Sequence, residues 1–360
     1  MKPCPPFKAA RVRAISNLMA DPPVYGLVLD VARLSSIVRD LMLLFITAPG
    51  HSYTVKALVE RNFGADTPPC QVTTYDAAFY AKRTVQATHI FTDMERLYDW
   101  ELVLAGDLYR SISDAGLPCL NNPAQVMCRY ELLRKLHAAG INPFTVYRAD
   151  DRPQPTRFPV FLRFEADHGV PVSDLLPDQA ALDAHLLAMR EGGFPLRGMI
   201  VVEYASEPIA PGVWQQFGTF RVGDAVLVDH AVSDDNWLVK YGKRGLATDA
   251  MFADEKAAVI TNRFAEELRP AFEIAGVEWG RADHAAFNGC QIVYEINTNP
   301  EVQALLPQRS PIRDETLRFG RQRMAEQLWR LDFGNGAPLS FSPGEALTGY
   351  RSRGWPSIRP

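Results

Sequence analysis

No stretch of this sequence is apolar enough for long enough to cross a membrane. The richest early run, Val24 to Ala48, is broken by Asp30, Arg33, Arg39 and Asp40, whereas a spanning helix needs roughly 20 uninterrupted, mostly apolar residues. The first residues, Met1-Lys2-Pro3-Cys4-Pro5-Pro6, lack the apolar core of a secretory signal. Cysteine is scarce: five, at positions 4, 70, 119, 128 and 290, odd in number and without metal-type pair spacing. That usage predicts a reducing, cytoplasmic setting. Neither sign of charge is in large excess, with 38 Lys and Arg against 42 Asp and Glu and a net charge of −4. Without a long Lys/Arg run, broad nucleic-acid binding is not expected. Internal repeats and low-complexity runs are also missing.

What is present is a chain of 360 residues, 47% of them hydrophobic, enough for two or three domain cores. Helical and strand patterns alternate, which points to an α/β or α+β protein. Leu41 to Thr47 reads as a buried strand, Tyr53 to Arg61 as a helix, Thr88 to Thr92 as a strand and Asp107 to Ala115 as a helix. An apolar return after Gly116-Leu117-Pro118 ends at Asn121-Asn122-Pro123, and this β-helix-β order fits an open sheet with helical cover. The segment from Phe333 to Pro360, rich in Gly, Pro and Ser, is expected to be irregular.

The most informative segment is Tyr294-Glu295-Ile296-Asn297-Thr298-Asn299-Pro300, preceded by Asp283. Glu295 and Asn297 are two apart in an alternating segment, so on a strand their oxygens project from one face. Hard divalent cations take oxygen ligands and keep water or phosphate for the rest, so Asp283, Glu295 and Asn297 read as a metal site. The other reading of Glu295 and Asn297 is a solvated strand face and a turn entry. The metal reading sets a geometric condition. Asn288-Gly289 is a hairpin signal, and a regular two-residue loop would place Asp283 opposite Tyr294, on the wrong face. The site therefore predicts either a three-residue loop or a bulge that brings Asp283 opposite Glu295.

Cations precede this segment. Asn122 as N-cap, Pro123 at the first helical position and Gly140 after the end define a helix whose stripe of Val126, Tyr130, Leu133 and Leu136 includes Arg129. Arg129 there either reaches past the stripe edge to water or meets an anion. Phe158 to Arg163 reads as a strand ending in a cation, and the loop after it carries His168 and Gly169. Met199 to Tyr204 is a strand with Glu203 at its end. Phe217 to Val222 and Ala225 to Val232 flank Gly223-Asp224 as a second hairpin, with Arg221 and Lys240 in or near it.

In this order, the elements resemble the ATP-grasp superfamily of carboxylate–amine and carboxylate–thiol ligases. The resemblance rests on Asn121-Asn122-Pro123 and the Arg129 helix, Phe158 to Arg163, Val201-Val202-Glu203-Tyr204, Phe220 to Asp224, Lys240, and Asp283, Glu295 and Asn297, between about Leu41 and Leu305. In many relatives lysines stand where Arg129 and Arg163 match. The resemblance implies an ATP-grasp fold of mixed α/β and α+β class, with two α+β lobes sandwiching ATP after an open-sheet domain. The corresponding division is 1–120 for the first domain, 121–202 for the central lobe, 203–332 for the C-terminal lobe with the metal site, and 333–360 for the tail.

It further implies that Glu203, Tyr204 and Ala205 meet adenine or ribose, and that Arg129, Arg163, Arg221 and Lys240 face the phosphates. His168 would donate to phosphate, while Asp283, Glu295 and Asn297 would hold one or two Mg2+ or Mn2+ ions. Arg281, two residues before Asp283, either stabilises an anionic acyl-transfer intermediate or pairs with a metal-site carboxylate, and His284 would stand behind the metal. The implied activity is an ATP-dependent ligase that makes an acyl phosphate for attack by an amine. The alternatives are a phosphotransferase and a nucleotide-binding scaffold without turnover. The implied partners are small-molecule or peptide carboxylates and amines, with no nucleic acid and no membrane. Many relatives are dimers or tetramers, so a homo-oligomer is among the states implied.

Overall fold

The computed structural model describes residues 43–331 and 333–353. Readings placed on Met1 to Pro6, on Cys4 and on most of Val24 to Ala48 lie outside the described residues.

The first part is an open parallel sheet. Its strands are β1 (Leu43–Thr47), β2 (Cys70–Thr74), β4 (Thr88–Phe91) and β5 (Cys119–Leu120), in the order β2-β1-β4-β5. Every residue of β1 is buried, as expected where helices cover both faces. The covering helices include α1 (Lys56–Val59), entered through a 3-10 turn at Ser52–Val55, then α2 (Tyr75–Tyr80) and α3 (Asp99–Asp114). α3 starts eight residues before the helical pattern recognisable from Asp107. Its first turn is closed by Glu101 Oε2, which accepts from the Tyr98 N–H at 2.8 Å.

Two antiparallel units follow. A three-stranded sheet, ordered β6-β8-β7, is built from β6 (Val146–Arg148), β7 (Val160–Phe164) and β8 (Met199–Glu203), with α5 (Gln179–Glu191) between the last two in the chain. A four-stranded sheet, ordered β10-β9-β11-β12, contains β9 (Trp214–Val222), β10 (Ala225–Asp234), β11 (Trp279–Phe287) and β12 (Cys290–Asn297). Helices α6 (Asp249–Thr261), α7 (Ala265–Ala275) and α8 (Pro311–Arg330) belong to this second unit.

The helix after Asn122 begins later than its cap signal implies: α4 covers Arg129–Ala138 with Cys128 at the cap. Asn122 does cap, but only one turn, its Oδ1 accepting from the Ala124 N–H at 3.0 Å. The chain is then pulled out of helix where the Met127 N–H donates to Ala275 O at 3.3 Å. Arg129 thus sits at the first helical position rather than inside the apolar stripe. Leu132, Leu133 and Leu136 pack with Leu268, Phe272, Ile292 and Val293, so α4 shares a core with the second unit as well as with Val146 of the first.

The parallel sheet and the four-stranded sheet also share a core. Phe45 packs edge-on against Trp279 at 5.2 Å between ring centroids, in a cluster with Phe220, Met324 and Leu328. Asn121, fully buried with φ of 62°, stitches the junction. Its Nδ2 donates to Phe91 O and Trp279 O, and its Oδ1 accepts from the N–H groups of Glu278 and Trp279, at 2.7–2.9 Å. Asparagine tolerates the left-handed backbone this requires better than most residues.

The segment after Phe333 is not irregular throughout. It contains β13 (Pro338–Ser340), paired with β3 (Arg83–Val85), and α9 (Glu345–Ser352), which packs Leu347 into the first domain's core. Gly and Pro there punctuate short elements whose apolar residues are too few to show a period. The cysteines at 70, 119, 128 and 290 are all unpaired. Among the described residues, no helix is long and apolar enough to cross a membrane.

Candidate active site

The loop between β11 and β12 is the two-residue turn Asn288-Gly289, with φ of 51° and 80°. The sequence left a three-residue loop and a bulge as alternatives, and the chain takes the bulge. Phe287 pairs with Cys290 and His284 with Val293, but Asp283 pairs with Glu295, so Tyr294 is one residue too many. Two carboxylates consequently face each other across adjacent strands, with Asn297 opposite Arg281 one step on. Tyr294 is held by its hydroxyl, which donates to Ala205 O at 3.1 Å.

These residues open into a cavity of about 330 Å³ between the two antiparallel units and the parallel sheet. Arg129, Arg163, His168, Glu203, Tyr204, Ala205, Lys240, Arg281, Asp283, Glu295 and Asn297 all line it. Arg221 does not. It follows Phe220, which packs in the core with Trp279, and alternation sends it to the other face of β9, where its Nε donates to Gly223 O at 2.9 Å. His284 is also turned away. It is fully buried between Thr219 Oγ1 (2.8 Å) and Gln291 Oε1 (2.7 Å), a packed histidine rather than a group behind a metal.

The cations are already engaged, and incompletely. Arg129 Nη1 donates to the carbonyls of Phe164, Glu165 and Asp167 at 3.3, 2.9 and 2.8 Å, and its Nη2 to Glu295. Arg163 donates to Asp167 O at 2.9 Å, and Lys240 Nζ to His168 O. The loop after β7 is thereby drawn down over the carboxylates. Burial lowers the pKa of Arg129 to about 9, with neighbouring Arg163 adding to the effect. Arg163 is lowered to about 10 by burial, and Lys240 is lowered mainly by burial. Buried cations so close together favour a bound anion.

The unmet donors point the same way. Arg129 Nε, Arg163 Nε and Asn299 Nδ2 are buried without a hydrogen-bond partner. Buried donors are nearly always satisfied. His168 Nε2 meanwhile donates to Glu95 Oε1 at 3.0 Å.

The oxygen donors fit a hard divalent ion in kind. Asp283 Oδ1 accepts from Arg281 Nε at 2.9 Å, leaving Oδ2 without a hydrogen bond from a described residue. Glu295 Oε1 has only His168 Nδ1 at 3.7 Å. Among the described residues, no three His, Cys, Asp or Glu side chains are grouped to hold a metal. The third protein donor would therefore be the Asn297 amide, with water and phosphate oxygens completing the shell. Arg281 is kept protonated: burial opposes its charge, but Asp283 and then Asp229 outweigh it. Gly218 gives it room, since a Cβ there would come within 3.0 Å of Arg281 Cδ.

Glu203 lines the cavity but offers it little. Its Oε2 accepts from the Thr145 N–H at 3.1 Å, and its Oε1 accepts from Tyr147, Thr156 and Arg157 at 2.9–3.1 Å. Its carboxylate therefore fixes the loop after β6. Of the two residues after it, the Tyr204 N–H is bonded to Pro159 O at 2.9 Å, whereas the Ala205 N–H has no partner among the described residues. An apolar wall of Leu133, Phe144, Phe161, Val202 and Trp237 stands beside them, with Trp237 packed on Phe161 and Tyr204 at 5.1 and 5.5 Å.

The sequence offered the stretches around Ala48 to Tyr53 and Glu301 to Arg309 as substrate loops, and His51, Tyr53 and Glu301 do line the cavity, but sequence reasoning missed Trp237, Thr54, Asp93, Glu95 and Arg96. The signal was available for two of these. Asp93 and Glu95 directly follow the apolar strand β4, and polar groups beyond the carboxyl ends of parallel strands commonly face ligands. Trp237 lies in a polar loop with no periodicity.

Two antiparallel α+β units face each other across this cavity after an open parallel sheet, the mixed α/β and α+β architecture expected from the sequence. No family model matches the chain, and no curated protein matches it by sequence. Solved structures do resemble it in shape. The D-alanine–D-alanine ligase of Bacillus anthracis is 12% identical over 87% of this chain and 100% of that one, with a TM-score of 0.45. A RimK-domain ATP-grasp protein of Sphaerobacter thermophilus is 15% identical over 81% and 99%, with a TM-score of 0.44. The L-amino acid ligase of Bacillus licheniformis is 11% identical over 80% and 77%, at 0.43.

Proposed function

We propose that this chain is a cytoplasmic ATP- and magnesium-dependent ligase that activates a carboxylate as an acyl phosphate and joins it to an amine. The observation that carries the reading is the meeting, in one cavity, of buried cations with unmet donors and the facing pair Asp283 and Glu295. Phosphoryl transfer needs little from a protein beyond positioning and positive charge around a multiply charged group. Arg129, Arg163 and Lys240 would supply that charge, the apolar wall with Trp237 would hold a flat base, and Arg281 would face the oxyanion of the acyl-transfer step. Asp283, Glu295 and Asn297 would hold the magnesium, whose chemistry is to neutralise phosphate oxygens.

The test is incubation with ATP, magnesium and a mixture of amino acids and small acids, followed by ADP measurement and mass analysis. ADP with a condensed product is expected. ADP with a product heavier by one phosphate would mark a phosphotransferase, and ATP binding without ADP a scaffold. Glu295→Gln keeps the shape and removes the charge, and should lower turnover by at least about 100-fold in a folded protein. Unchanged ADP production would reject the assigned role.

A further inference from the structure

The end of the cavity formed by the parallel sheet contains an arrangement to which the proposed function assigns no role. His51, after β1, places Nδ1 at 3.3 and 3.2 Å from the two oxygens of Asp93, which follows β4. Asp93 is 2% exposed with φ of 58°, and its Oδ2 also accepts from the Ala48 N–H at 3.1 Å. A buried carboxylate on one ring nitrogen fixes the imidazole's orientation and leaves the other nitrogen as the acceptor. Nε2 of His51 has no hydrogen-bond partner among the described residues, and the side chain lines the cavity.

A second observation ties this histidine to the chemistry. The His51 carbonyl accepts from Thr54 Oγ1 at 2.9 Å and Asn299 Oδ1 lies 2.7 Å from the same hydroxyl, while the Asn299 N–H donates to Asn297 Oδ1 at 2.8 Å. The Val302 N–H donates to Thr54 O at 2.7 Å. The histidine loop is thus held in register with the end of β12, the strand that carries two of the three proposed metal ligands.

We propose that His51, oriented by Asp93, is the base that takes a proton from the attacking ammonium. The inference rests on the ligase reading above. Nε2 of His51 accepts one proton from R–NH3+, giving R–NH2 and an imidazolium. The freed nitrogen lone pair forms the C–N bond at the acyl-phosphate carbon, the C–O bond to phosphate breaks, and the second nitrogen proton leaves with the phosphate as HPO4 2−. Tyr53 packs edge-on against the His51 ring at 6.0 Å between centroids; the charged and titratable groups acting on Tyr53 are Arg96 and Asp93 from the segment after β4, Glu301 from the segment after β12 and Tyr241 from the loop after β10, and Glu95 lines the same cavity. Asp93 is the one in contact with the ring nitrogen, and Arg96 Nε stands 3.5 Å from that same carboxylate.

Hydroxylamine separates the two half-reactions, because it is already unprotonated near neutral pH and captures an acyl phosphate without a base. Wild type and His51→Gln would each be given ATP, magnesium and the acid mixture, with either hydroxylamine or the amino acid mixture as nucleophile. The variant should form hydroxamate at the wild-type rate but lose about 100- to 10,000-fold in amide formation. That deficit should shrink as pH rises and the amine deprotonates in solution. Equal loss of both products, no loss of either, or a deficit independent of pH would each overturn the base assignment. No hydroxamate from wild type would instead show that the ligase reading itself fails, and the proposal with it.

Discussion

At the scale of single residues, side-chain type was more legible than side-chain employment. Arg129, Arg163 and Lys240 were recognisable as cations, and they share one cavity. Glu203 was equally recognisable at its strand end. That its carboxylate would be claimed by Thr145, Tyr147, Thr156 and Arg157 was not, because those partners come from a loop with no periodic pattern.

His89 is a residue whose employment yields a clean test. It is fully buried in β4, its Nδ1–H donating to Ala87 O at 2.9 Å and its Nε2 accepting from Thr84 Oγ1 at 2.6 Å. Burial lowers its pKa from 6.5 to about 4. Between these values the unfolded chain binds a proton that the folded chain does not. Stability is therefore lost as pH falls through this window, with a slope of up to about 1.4 kcal/mol per pH unit. Urea unfolding at several pH values should show this slope in wild type and a shallower one in His89→Gln. Parallel curves would contradict the buried neutral state.

At the scale of elements, the hairpin of β11 and β12 was readable to the level of register, because one constraint decided it. Two carboxylates expected on one face cannot share it across a regular two-residue hairpin at this spacing, so the sequence required either a three-residue loop or a bulge, and the chain takes the bulge at Tyr294. The late start of α4 was not readable, since it depends on a bond from Met127 to the distant Ala275 carbonyl. Glycine content in the hairpin has its own consequence. A Cβ on Gly280 would lie 2.7 Å from the Asn297 carbonyl oxygen and 2.8 Å from Val277 Cγ1, and the first of these is backbone that cannot turn aside. Gly280→Ala should destabilise the protein by about 1–3 kcal/mol and raise the magnesium concentration needed for half-maximal ADP formation. Unchanged urea midpoints and an unchanged magnesium requirement would show that Asn297 is not held by this close approach.

At the scale of the whole molecule, the order of strands and helices was enough to expect an open sheet, and the resemblance to ATP-grasp ligases implied two facing α+β units after it. It did not reveal how tightly the first is joined to the rest. That joint depends on Asn121 bridging Phe91 and the Glu278–Trp279 backbone and on Phe45 against Trp279, and the contacts to Glu278 and Trp279 join residues more than a hundred positions apart. The same joint places His51 and Asp93 within the cavity that holds Asp283 and Glu295, so the ends proposed for nucleotide, metal and acceptor lie in one cavity. The central claim is that this site turns a carboxylate into an acyl phosphate. The most direct measurement supplies ATP, magnesium, the amine mixture and acids whose carboxylates carry heavy oxygen, then weighs the phosphate released. One heavy oxygen from the carboxylate should appear in the phosphate, because the acyl C–O bond breaks when the amine attacks. Phosphate carrying only the oxygens of ATP and water would contradict the account.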